Sequence, residues 1–92
     1  MDLRQLEYFI AIADAGTFQA AARRLHMTQP PLSTQIRLLE EEVGTPLFLR
    51  GPRQVTLTGA GKLLYSRAST LLELQKNTVQ ELLDYTEGNK GV

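Results

Sequence analysis

Apolar residues recur at helical spacing over most of this chain, and the interruptions mark where helices stop. Leu3, Leu6, Phe9, Ile10 and Ala13 share one face of a first helix, Leu3 to Ala15. Asp2 suits its N-cap and Gly16 its left-handed stop. Thr17 caps a second helix, Phe18 to Leu25, with Phe18, Ala21, Ala22 and Leu25 inward. Ala21 and Ala22 are small enough to let another helix come close. His26-Met27 makes the turn, histidine being among the residues more tolerant of positive φ. Thr28 caps a third helix that runs to Val43 and stops at Gly44. Pro30 and Pro31 fit only its first turn, where a missing N–H does little harm. Leu32, Ile36, Leu39 and Val43 form a narrow stripe that must face the core. At about 100° per residue, Pro30, Ser33, Thr34, Arg37 and Glu41 lie opposite. Gln35 sits beside the stripe and packs or hydrogen-bonds within the protein. Gln29 lies at the helix tip, free to reach forward.

The period then changes. Leu47–Arg50 and Gln54–Leu57 are β-prone and flank Gly51-Pro52-Arg53, a hairpin with an arginine at its tip. Two strands alone are marginal, so they must lean on the helices. Thr58 caps a last helix, Gly59 to about Tyr85, with no proline inside. Leu64, Ala68, Leu71, Gln75, Thr78 and Leu82 recur along it at heptad-like spacing. Leu63, Leu72, Leu74, Val79 and Leu83 broaden that apolar surface. A helix of about 27 residues spans about 40 Å, more than so small a body needs. Its leucines are therefore expected to meet a second copy, although packing within the monomer is the alternative. The expected fold is mainly α. Residues 1–58 form a winged helix-turn-helix of three helices and a two-stranded wing. Residues 59–87 form a long linker and dimerisation helix, and 88–92 a disordered tail.

The 92 residues suffice for one domain with a modest core. Cysteine is absent, which excludes disulfides, thiolate metal sites and a cysteine nucleophile. The lone His26 offers no metal cluster, so no metal site is expected. No charged-then-apolar leader opens the chain, and no apolar run approaches a bilayer span. A cytoplasmic protein that does not engage membranes is the expectation. Net charge is zero, but its distribution is uneven. Thr17 to Arg67 holds seven basic and three acidic residues, a net of +4, with the acids together at Glu40–Glu42. Ala68 to Val92 carries a net of −2. A positive surface can therefore exist on a neutral chain.

A helix, turn and helix followed by a basic-tipped hairpin points to DNA. Ser33 and Thr34 are small and let the third helix sit deep in a major groove, where base edges can be read. The N–H groups near Thr28 and Gln29, at the positive helix end, favour phosphate. Arg37 lies on the same face. Arg53 on its narrow tip can enter a minor groove, where arginine is favoured by A·T tracts. Arg23 and Arg24 are placed equally well for solvent or for the DNA backbone. Arg50 has two uses open to it, phosphate contact or pairing with a nearby glutamate. A helical protein-interaction module is the competing class. An enzyme has no nucleophile–base pair, metal cluster or phosphate loop to support it.

Phe9, Ala21, Ala22, Leu25, the run TQPPLSTQIRLLEEEVGTPLFLR (Thr28–Arg50) and LTGAG (Leu57–Gly61) carry a resemblance. Over about Leu3 to Leu83 the chain resembles the DNA-binding domain of the LysR-type transcriptional regulators of bacteria. The resemblance implies a homodimer held by antiparallel linker helices, with the third helix in the major groove and the wing in the minor groove. Carried over by position, Gln29, Pro30, Ser33 and Thr34 read bases, and Arg53 enters the minor groove. Thr28, Pro31, Arg37 and Arg50 contact the backbone. Dimerisation falls to Leu64, Ala68, Leu71, Gln75, Thr78 and Leu82. Relatives often carry arginine at position 34, so a different base preference is expected with Thr34. They often carry an acid at position 59, where Gly59 softens the helix start. The resemblance also implies a larger effector-binding domain, absent here, so a fragment is the expectation, with a natural short form as the alternative. No cofactor is expected. A small-molecule effector belongs to that missing domain, and RNA polymerase is a candidate partner of the full-length protein only.

Overall fold

Helix α1 (Leu3–Ala15) begins with a reciprocal cap. The Asp2 carboxylate accepts the Gln5 N–H at 2.7 Å, and the Gln5 side chain accepts the Asp2 N–H at 3.3 Å. At its other end Gly16 turns to φ 85°, a conformation that favours glycine, and donates its N–H to the Ile12 carbonyl. The computed structural model describes residues 1–88, so the tail expected at 88–92 lies outside the described residues beyond Gly88. Leu6, Phe9 and Ile12 of α1 are buried, whereas Leu3 and Ile10 are half-buried. The single stripe read from the sequence left out Ile12. The reason is that α1 is the central helix, touched by neighbours on several sides, so its buried arc is wider than one stripe.

Thr17 caps α2 (Phe18–Arg24) by accepting the Ala20 N–H at 3.0 Å. The helix closes one residue earlier than expected, with Leu25 as its C-cap. His26 N–H reaches the Arg23 carbonyl and Met27 N–H the Ala22 carbonyl, the two bonds of a Schellman closure. His26, at φ 56°, takes the left-handed position that glycine usually occupies.

Helix α3 (Gln29–Val43) starts at Thr28, whose backbone is extended but whose side chain caps nothing. The expected cap fails for a simple reason. An N-cap side chain accepts from the second or third helical N–H, and here Pro30 and Pro31 have none. Leu32, Ile36 and Leu39 are fully enclosed. Val43, expected on the same stripe, is 42% exposed, because the last turn overhangs the body before Gly44 reverses the chain at φ 77°. Gln35 accepts a hydrogen bond from Gln5 at 3.1 Å and so stays with the protein, as its angle on the helix required.

Strands β1 (Phe48–Arg50) and β2 (Val55–Leu57) pair antiparallel, Leu49 opposite Thr56. Phe48 brings the wing into the core, its ring centroid 5.1 Å from Phe9 and 6.0 Å from Phe18. The Val55 N–H donates to the Gly16 carbonyl at 2.8 Å, so the α1–α2 corner also holds the wing.

Helix α4 (Gly59–Gly88) is capped by Thr58, which accepts the Gly61 N–H and donates to the Pro46 carbonyl. Gly61 lies so close to β1 that a Cβ there would stand 2.1 Å from the Leu47 carbonyl oxygen. Tyr65 donates to the Asp14 carboxylate at 2.6 Å and ties α4 to the end of α1. Two residues expected at a dimer seam pack within the monomer. Ala68 is fully buried, and Leu64 packs half-buried against the core. Leu71, Gln75, Thr78 and Leu82 are exposed, and from Glu73 to Thr86 every residue is. The described chain measures 56 × 26 × 18 Å, and α4 supplies the long axis.

Candidate nucleic-acid interface

The tip of α3 stands clear of the body. Thr28, Gln29, Pro30 and Pro31 are all exposed. The two prolines deny the Thr28 hydroxyl its usual role in capping, which leaves it free for an outside acceptor or donor. Gln29 Nε2 lies 3.4 Å from Ser33 Oγ, a long hydrogen bond one turn along the helix. Ser33 is half-buried beneath this contact and Thr34 is exposed beside it. Gln29 therefore keeps its amide oxygen to offer, steered by Ser33. Arg37 lies farther along and pairs with Glu41 at 3.0 Å, one turn on. Both side chains are well exposed, and such pairs are worth little, so a stronger anion can displace Glu41.

The wing faces that tip. Gly51 N–H donates to the Gln54 carbonyl at 2.9 Å and closes the loop. A Cβ on Gly51 would lie 3.0 Å from that carbonyl oxygen, which explains a glycine there. Arg53 projects from the loop, exposed and without an ion-pair partner among the described residues. Arg50, at the end of β1, lies 3.7 Å from Glu40, the pairing that was one of its two open uses, and its side chain stays half exposed.

Between wing and helix tip runs an open cleft of about 280 Å³. Thr17, Gln19, Gln29, Arg53 and Gln54 line it with polar groups. The structure thus brings Gln29 and Arg53, 24 positions apart in the sequence, to one opening. Thr28, Pro30, Pro31, Thr34 and Arg37 are exposed along α3, and Arg50, opposite Val55 at the loop end of the wing, does not line the cleft. Gln19 and Gln54 were not legible as site residues. Neither carries charge or a motif, and only the folding of α2 against the wing places them there. Arg23 and Arg24 lie in the last turn of α2, where positive charge suits the helix end.

A recognition helix with a free polar tip, set across a cleft from an arginine-tipped hairpin, defines a winged helix-turn-helix of the nucleic-acid-reading kind. Residues 3–62 match the family model for the bacterial regulatory helix-turn-helix protein, lysR family. The chain belongs to that family. It is 56% identical over 72 residues to the probable cat1 operon transcriptional activator of Acinetobacter lwoffii, covering 78% of this chain and 24% of that protein. The crystal structure of the BenM DNA-binding domain with catB site 1 DNA superposes with a TM-score of 0.92 at 40% identity. That match covers 97% of this chain and 96% of the other. The CbnR DNA-binding domain–DNA complex gives 0.89 at 41% identity, covering 94% and 99%. The chain spans 24%, 40% and 64% of the lengths of three curated relatives that it matches. Those relatives are named as transcriptional regulators or activators, which are not enzymes. No helix among the described residues is long and apolar enough to cross a membrane.

Proposed function

We propose that this chain binds double-stranded DNA as the reading head of a bacterial LysR-type transcriptional regulator. The single observation that carries this is the cleft that sets the free tip of α3 against Arg53 of the wing. A duplex presents a major groove and its neighbouring minor groove at such a pair of projections. In this reading Gln29, Pro30, Ser33 and Thr34 face base edges, and Arg53 enters the minor groove. Thr28, Pro31, Arg37 and Arg50 meet the sugar–phosphate backbone, with Gln19 and Gln54 added to them. The likeness to BenM and CbnR domains solved with DNA supports the same geometry.

The active species in this reading is a homodimer. Its support is the unpartnered apolar surface of distal α4, with Leu71, Gln75, Thr78 and Leu82 on the seam. Ala68 is sealed within the monomer, and Leu64, half-buried, stands at the near end of that seam. The regulator works in the bacterial cytoplasm, where its DNA is. Reading DNA in this way calls for no cofactor. Effector sensing and any contact with RNA polymerase belong to other parts of a full-length regulator.

Duplex binding measured as a function of salt is the test. Each phosphate neutralised contributes a slope of about −0.9 in log affinity against log salt. Several backbone contacts should therefore make binding fall steeply from low to moderate salt. Absence of any duplex binding at low salt would sink the proposal.

A further inference from the structure

Glu40 lies well along α3 from its tip, in a run of three acids that DNA ought to repel. Its side chain is only 18% exposed. Oε2 accepts the backbone N–H of Leu47 at 2.7 Å and that of Phe48 at 3.3 Å. Oε1 faces Arg50, 3.7 Å from Nη2. The Arg50 guanidinium lies over the Phe18 ring, its carbon 4.6 Å from the centroid. Phe18 is in turn packed against Phe48. One face of the guanidinium thus rests on an aromatic ring, and one edge meets a carboxylate that two backbone N–H groups hold still. Half of the Arg50 side chain remains open to solvent.

We propose that Glu40 is a positioning residue for Arg50, presetting its guanidinium for a phosphate of the DNA backbone without touching DNA itself. This rests on the DNA-reading function proposed above. A long arginine side chain gives up rotamer freedom when it binds. Stacking and pairing it beforehand removes part of that loss from the binding step. The opposing effect is plain repulsion, since a carboxylate near phosphates weakens binding. The two effects differ in sign, which makes the inference decidable.

The experiment measures affinity for one mixed-sequence duplex across a salt series. It compares the unaltered chain with Glu40→Gln, Arg50→Ala and the double variant. Glutamine keeps an oxygen for the Leu47 and Phe48 N–H groups and removes only the charge beside Arg50. Positioning predicts that Glu40→Gln weakens binding about two- to fivefold, the scale of an exposed ion pair. It also predicts no further loss when Arg50 is already alanine. Equal or tighter binding by Glu40→Gln overturns the inference. So does the same loss in both backgrounds, which would mean that Glu40 acts through the wing's structure alone. If Glu40→Gln melts early, Arg50→Lys decides instead. Lysine keeps the charge but not the stacked plane, so positioning predicts binding like Arg50→Ala. Affinity like the unaltered chain overturns it. An unaltered chain that binds no duplex at low salt overturns the DNA reading and this inference together. A failed coupling in a chain that does bind overturns this inference alone.

Discussion

The two halves of α4 share one apolar rhythm and have opposite fates. In the first half the tightest contacts are made at small residues, with Leu64 and Tyr65 packed half-buried beside them. Gly61 lies against the Leu47 carbonyl and Ala68 is sealed in. In the second half the apolar residues are large and bare: Leu74 is 59% exposed, Leu82 62% and Tyr85 70%. Heptad spacing alone cannot tell these stretches apart. Side-chain size can, because a helix pressed onto a body needs small residues at the contact. A helical arm without tertiary support is marginal in water, and a contiguous apolar surface of this kind marks an interaction site. In the proposed dimer a second copy covers it.

The contrast can be broken from either side. On the packed side, Phe9→Ala should cost about 3–5 kcal/mol of stability, as for other buried aromatics. Chemical denaturation would report it, and a loss below a quarter of that would mean that the core repacks easily. Gly61→Ala removes a helix-weakening glycine yet should still destabilise, by about 1–3 kcal/mol, because the new methyl meets backbone. A gain in melting temperature would show that α4 can lift off β1. On the bare side, Leu82→Lys should leave the fold of 1–58 intact and shift sedimentation toward monomer. An unchanged dimer would place the seam elsewhere.

The smallest effect should come at Tyr65, on the packed side. Tyr65→Phe loses the Asp14 bond, worth about 0.5 kcal/mol at so exposed a site. That hydrogen bond, then burial, then the Asp14 charge hold the Tyr65 phenol above its ordinary value of 10.0. The protonated phenol makes the bond. Its contribution is therefore complete below pH 10 and fades as pH rises through the raised folded value. Ultraviolet titration of the tyrosines should show one late-ionising group that Tyr65→Phe removes.

Most of the fold was legible because its boundaries are chemical. Asp2, Thr17 and Thr58 cap with their side chains, Gly16 and Gly44 take left-handed turns, and Pro30 and Pro31 open α3. The errors share a cause, which is that a helical wheel knows nothing of neighbours. It left out Ile12 because α1 is enclosed on several sides. It counted Val43 as core although the body ends before it, and it gave Ala68 to a partner although the monomer uses it. Thr28 failed as a cap through the very prolines that announce the helix. Within the site, the exposed α3 residues and Arg53 could be placed by angle and turn chemistry. Gln19, Gln54 and the hold of Glu40 on Leu47 and Phe48 depend on contacts between elements, and no local spacing encodes them.

The wing is fastened at both ends. Val55 is tied to Gly16, and Leu47 and Phe48 to Glu40. Such a hairpin is a fixed jaw and not a feeler. For the proposed reader, the gap between α3 and Arg53 then becomes a gauge, and the duplex must do the adjusting. Sites whose intervening steps twist and bend at low energy would be taken first, including at base pairs that no side chain reaches. Sequences selected from random duplexes should show that preference as flexible pyrimidine–purine steps between the two contacts.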